Sequence, residues 1–164
     1  MKRVKNTGAV KPLRRRFHFY KRIKLYDGEI YLNLVETAPA DDARGFVPSY
    51  IFEICLLDNS EVVGEVSLRV GHSEEIYYAG NIGYRIHKPY RGNRYAMKAC
   101  FLLEPLARKH DMRRLIITCD PGNTASRRTC ELFGAKYIET VILPHYSEMY
   151  LAGSREKEIY EKNL

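Results

Sequence analysis

Apolar and polar residues alternate along much of the first half of the chain, and helical spacing takes over in the second. In residues 29–36, EIYLNLVE, Ile30, Leu32 and Leu34 fall on one side and Tyr31 and Asn33 on the other, the period of a half-buried strand. Residues 37–48 contain Pro39, Gly45 and Pro48 and predict a loop with a helical turn at Asp41 to Arg44. Segments 49–57 and 62–70 flank Asp58, Asn59 and Ser60, whose short side chains bond to local backbone, and predict a hairpin. Residues 80–88 predict a fourth strand with Ile82, Tyr84 and Ile86 on one face.

Between 96 and 110 the apolar residues Ala96, Ala99, Cys100, Leu103 and Ala107 recur at helical spacing, with a kink expected near Phe101 because Pro105 removes a backbone bond. LIITC (115–119) is a continuous branched run, the pattern of a parallel strand buried on both faces. Asn123 is placed to cap a helix over 126–133 that Gly134 ends in the left-handed conformation. Residues 135–143 and 155–161 predict two more strands. Segments 80–88 and 115–119, joined by a helix, are expected to run parallel. The class is α/β, a mixed sheet with helices on its faces and an anion-binding turn at the central strand-to-helix junction.

A length of 164 residues fits one domain, and 45% apolar with 29% charged residues is the composition of an ordinary globular protein, not of a disordered or disulfide-built one. The net charge of +7 is unevenly spread. Residues 1–24 carry ten Lys and Arg and no acid; the remainder has 17 basic against 20 acidic residues, a balance of −3. The chain therefore reads as a basic N-terminal arm, 1–24, followed by a domain, 25–164. The arm suits a nucleic acid, resembles an acid-poor transit segment, or is solvated without a partner. Phe17, Phe19 and Tyr20 suggest that its end docks on the body. No apolar run approaches a membrane span and no secretory core follows the basic start, so the expected location is the cytoplasm and no membrane partner is expected.

Cys55, Cys100, Cys119 and Cys130 form no C-x-x-C pair and read as reduced, buried thiols; with the five histidines also lacking metal-site spacing, no metal is expected. The junction KPYRGNRYAMKA has Pro89 to end the strand, Gly92 to bend the chain, and a helix start whose free amides face an anion such as a pyrophosphate.

GNIGYRIHKPYRGNRYAMKA, followed about 25 residues on by DPGNTASRRTCELFGAKY, resembles the GCN5-related N-acetyltransferases, in particular the branch of ribosomal-protein alanine acetyltransferases. The resemblance covers residues 60–143 and the flanking strands by element order. It implies a mixed, mostly antiparallel central sheet splayed between strands four and five. It also implies an acetyl-CoA cosubstrate whose pyrophosphate meets the loop of Arg91, Gly92, Asn93, Arg94, Tyr95 and Ala96. Arg94 stands where the family has Gly, a departure that requires an uncommon positive φ in a residue with a side chain. The pantetheine arm is expected to bond backbone groups near Tyr84 and Ile86. The Tyr84 amide would polarise the thioester carbonyl, and Asn123 and Ser126 would contact the cofactor arm or serve as plain helix caps.

The implied reaction is direct attack of a neutral primary amine, from a small molecule or a protein N-terminus, on the thioester. Cys130 occupies the place where many members carry an acidic Tyr, and reads as a core residue. Candidates for the base are His72, whose intrinsic pKa suits neutral pH, and Glu75, followed by Glu74, Asn81 through water, and Glu65. Tyr77, Tyr78 and Tyr146 are candidates for the acceptor pocket. Two other readings stand beside the enzyme: a CoA-binding module without turnover, and an RNA- or ribosome-associated protein using residues 1–24. A homodimer stays open.

Overall fold

The computed structural model describes residues 16–164; residues 1–15, which hold most of the basic arm, lie outside the described residues. Strands β1 (Ile30–Ala38), β2 (Ser49–Leu56), β3 (Val62–Arg69) and β4 (Ile82–Ile86) form one antiparallel sheet in sequence order. Helix α1 (Glu74–Ala79) lies between β3 and β4, and a 3-10 turn (Lys88–Tyr90) joins β4 to helix α2 (Tyr95–Lys109). Strand β5 (Arg114–Cys119), helix α3 (Thr124–Phe133), β6 (Lys136–Ile142), α4 (Glu148–Leu151) and β7 (Glu156–Asn163) complete the chain. In the second sheet β7 lies between β5 and β6, antiparallel to both.

The core is built from the inward residues of both sheets and of α2: Ile30, Phe52, Ile54, Val66 and Leu68 meet Ala99, Cys100, Leu103 and Leu106, and Leu115, Ile117 and Phe133 continue it. Alternation in β1 works as expected, Ile30 and Leu32 buried with Asn33 out, until a bulge between Leu34 and Glu36 leaves Val35 exposed. All four cysteines are free and buried. No helix among the described residues is long and apolar enough to cross a membrane.

Four expectations need correction. β5 is buried on both faces, but it is bonded antiparallel to β7 and not within a parallel pair. Residues 80–88 and 115–119 share hydrogen bonds only at Asn81 and Ile116, so they stand in separate sheets. Helix α2 runs unbroken through Pro105; Phe101 and Pro105 lie on its exposed side, so the carbonyl that loses its donor can turn to water. The segments after β3 and β6 contain α1 and α4, each started by a serine cap, Ser73 bonded to the Ile76 amide and Ser147 to the Tyr150 amide. These helices are too short to show a period.

Candidate active site

The site begins where β4 and β5 part. Asn81 is fully buried and joins three segments. Its backbone N–H donates to the Ile116 carbonyl at 2.6 Å, and its Oδ1 accepts from the Ile116 amide at 2.8 Å. Its Nδ2 donates to the carbonyls of Arg69 and Gly71 at 3.0 and 2.8 Å. Both amide protons and one oxygen lone pair are thus used and the group has no exposed surface, which overturns its candidacy as a base acting through water. Gly80 permits the junction: a Cβ there would come within 3.1 Å of the Ile116 carbonyl oxygen, and its φ is +80°.

Beyond this clamp β4 keeps an open edge. Arg69 N–H donates to the Asn81 carbonyl and His87 N–H to the Val63 carbonyl, so the pairs that bond β4 to β3 fall at residues 81, 83, 85 and 87. In an antiparallel ladder the alternate residues Ile82, Tyr84 and Ile86 then turn their N–H and C=O groups the other way, toward the gap before β5. An extended ligand arm can add there as a strand would.

The open edge leads into the predicted anion loop. Arg94 has φ +62° and ψ +21°, the left-handed conformation, and is the N-cap of α2. The side chain that stands in place of Gly therefore accepts the backbone geometry that Gly would take, at a cost of about 1 kcal/mol. The first helical bond is Lys98 N–H to the Arg94 carbonyl, so the amides of Arg94, Tyr95, Ala96 and Met97 have no acceptor within the helix. Gly92, φ +85°, has open space where a Cβ would stand. Arg91 Nε donates to the Ile86 carbonyl at 3.1 Å and Asn93 Nδ2 to the Tyr90 carbonyl at 2.9 Å, which fold both side chains back onto the loop as braces. Lys98 is ion-paired with Asp27 and Glu29.

Across the gap, α3 supplies the other wall. Asn123 Oδ1 accepts from the Ser126 amide at 3.0 Å, the cap expected from the sequence. The Tyr84 side chain reaches from β4 to α3, its hydroxyl 2.7 Å from Ser126 Oγ. Burial, reinforced by the neighbouring Cys130 thiol, pushes the Tyr84 phenol well above its usual range. The side chains of Tyr84 and Ser126 thus bind one another, a tie that sequence reading missed because it joins residues 42 positions apart. Cys130 is fully buried and its thiol is pushed far up by its contact with Cys119 and by burial, so it holds its proton and packs in the core.

The two candidate bases have different neighbours. His72 follows Gly71, the residue held by Asn81, at the closed end of the gap; burial and Arg114 lower its pKa below 6.5. The Glu75 carboxylate packs against Gly45 in the β1–β2 loop. Glu65 pairs with Arg85 at the surface. Tyr77 donates a short bond to Glu139 on β6, which raises the Tyr77 pKa to about 12, and Tyr78 has Tyr146 among its neighbours. A second cluster, also missed, is centred on the buried Glu158, whose Oε2 accepts from Tyr160 at 3.1 Å and pairs with Arg127 at 3.2 Å. Nothing in the sequence of 155–161 marks Glu158 as buried; the Arg127 that receives it comes from α3.

A family profile described as the acetyltransferase (GNAT) domain matches residues 16–136. No curated protein matches the chain significantly in sequence. Among solved structures, a ribosomal-protein-serine acetyltransferase candidate from Vibrio cholerae superposes with a TM-score of 0.62 at 16% identity, over 88% of this chain and 99% of its own. A ribosomal alpha-N-protein acetyltransferase solved with coenzyme A gives 0.63 at 14%, over 87% and 98%. The microcin self-immunity acetyltransferase MccE, solved with acetyl-CoA and AMP, gives 0.56 at 21%, and the match spans 71% of this chain and 61% of that one. At these identities the likeness is one of fold.

Proposed function

The chain belongs to the GNAT acetyltransferase family, and from that premise we propose that it transfers an acetyl group from acetyl-CoA to the primary amine of a protein N-terminus. The observation that carries the reading is the continuous track from the clamp at Asn81, along the open edge of Tyr84 and Ile86, to the free amides at Arg94–Met97. It fits an acyl thioester with a pantetheine arm and a pyrophosphate, in that order. Acetyl-CoA supplies the activated acyl group; the remaining chemistry falls to this chain.

The Tyr84 N–H donates to the thioester oxygen and takes up the charge that develops as the amine adds. Ile86 carries the arm further along the edge. The amides of Gly92 to Ala96 and the positive end of α2 hold the pyrophosphate, and Asn123, with its Nδ2 left without an acceptor among the described residues, contacts the arm from α3. His72, neutral at pH 7 and one residue from the clamp, takes the ammonium proton through water. Glu75 is the second candidate for that step. With Cys130 buried and protonated, the departing thiolate takes its proton from solvent. Relatives described as acting on ribosomal proteins favour a protein acceptor over a small molecule.

Calorimetric titration with acetyl-CoA and CoA tests the track. Micromolar binding is expected, lost in Gly92→Glu and kept in Gly92→Asn, which tolerates a positive φ without adding charge. Binding with no thiol release over a panel of peptide and small amines would leave a CoA-binding module without turnover. Once turnover is seen, loss of kcat by about 100-fold in His72→Gln but not in Glu75→Gln assigns the base to His72.

A further inference from the structure

We infer that the docked end of the basic segment and the C-terminus of α2 form a binding surface for single-stranded RNA. From Arg16 to Leu25 the chain sorts its side chains by chemistry. Phe17, Phe19, Tyr20 and Ile23 pack against the core, while Arg16, His18, Lys21, Arg22 and Lys24 are exposed. The packing fixes this row in place. Phe17 stacks on His110 with ring centres 4.7 Å apart, Phe19 meets Tyr50 edge-on at 5.2 Å, and the Tyr20 N–H donates to the Tyr50 hydroxyl at 2.9 Å. Arg16, Lys21, Arg22, Lys24 and Lys109 form no ion pair among the described residues, whereas Arg108, Arg114 and Lys162 nearby in sequence or sheet each have a carboxylate partner. Asp27 and Asp111 are the acids closest in sequence to this face, and Asp27 is paired with Lys98. An uncompensated cationic row seeks a polyanion.

A cavity of 590 Å³ opens within the row, lined by residues 18–23 and Lys109. The half-buried residues Phe19 and Tyr20 are part of this lining, and the Lys109 ammonium lies 5.3 Å from the Tyr20 ring centre. An aromatic wall with a cationic rim receives an unstacked base and its flanking phosphates. A duplex keeps its bases inside and could use only the rim. The surface lies at the far end of α2 from the anion loop, roughly 20 Å along a 15-residue helix, so it is separate from acetyl transfer.

The test is fluorescence anisotropy of a labelled 20-nucleotide single-stranded RNA with the full chain, without acetyl-CoA, at 50 and 200 mM KCl. Affinity is expected to fall about tenfold or more between the two salts. Lys21→Gln with Arg22→Gln should weaken binding about fivefold and flatten the salt slope, while Arg85→Gln with Lys136→Gln, an equal charge loss at exposed sites on β4 and β6, should change it less than about twofold. Thermal melts confirm that both double variants fold. Equal weakening by the two variants, tighter binding of the same strand annealed to its complement, effective competition by polyglutamate, or absence of binding would each overturn the inference.

Discussion

Asn81 and Ile116 exchange two hydrogen bonds, at 2.6 and 2.8 Å, and past them β4 and β5 bond only to their own sheets. One buried side chain thereby decides where the two sheets separate, and so where an acyl thioester can enter. Asn81→Ala would strand the Ile116 amide and two carbonyls away from water. The expected loss is about 2–4 kcal/mol, or roughly 6–12 °C in the melting temperature of a domain of this size. Acetyl-CoA affinity should fall in the same variant, and a melt shifted by less than about 2 °C would show that the splay is held elsewhere.

Arg94 takes a backbone conformation that costs a residue with a Cβ, and no hydrogen bond from its side chain caps the helix. Arg94→Gly should therefore raise stability by about 0.5–1 kcal/mol while acetyl-CoA binding persists, since the amides stay where they are. Calorimetry beside a denaturant titration separates the two effects. A large loss of cofactor affinity would assign the guanidinium to the pyrophosphate.

Tyr84 serves the proposed mechanism through its amide, so Tyr84→Phe should leave kcat within about threefold and cost about 1 kcal/mol through the lost bond to Ser126. Its folded pKa is raised above the unfolded value of 10.0, so its share of stability is complete below pH 10 and is lost as the pH rises beyond it. Alkaline melts of wild type should fall more steeply than those of the variant; parallel curves would show a phenol that titrates normally.

The docked segment carries its own pH dependence. Tyr50 hydroxyl accepts from the Tyr20 N–H and lies 2.7 Å from His110 Nε2, where its own proton can be donated when the imidazole is neutral. Burial, with His18 adding to it and Asp111 opposing it, lowers the His110 pKa below 6.5. A depressed histidine contributes stability that is present above the unfolded pKa and lost as the pH falls through the folded one. Amide exchange over residues 16–24 should accelerate as the pH falls below the ordinary histidine value of 6.5 and through the lowered one, after correction for intrinsic rates, and His110→Gln should remove that step. Unchanged protection down to pH 5 would separate docking from this bond.

Much of the site was readable because its chemistry is local. The turn at Gly92, the cap at Asn123 and the stop at Gly134 each depend on backbone angles and bonds within four residues, which composition and spacing report directly. Alternation placed Ile30, Val66 and Leu68 inward before any strand was paired. What the linear pattern left undetermined is long-range. A continuous apolar run such as LIITC says that β5 is covered on both faces, but burial is the same whether its neighbour runs parallel or antiparallel, and only the return of β7 between β5 and β6 settles it. The roles of Asn81, of the Tyr84 hydroxyl and of Glu158 depend on Ile116, Ser126 and Arg127, each on an element far away in the chain. By itself, then, the sequence determined the elements, the core faces and the phosphate turn, since each follows from near-neighbour sterics and hydrophobic period, and its motifs implied a splayed sheet; the tertiary structure alone decided which residues clamp the gap and which seat the basic segment, since these are contacts of buried polar and aromatic groups far apart in the chain.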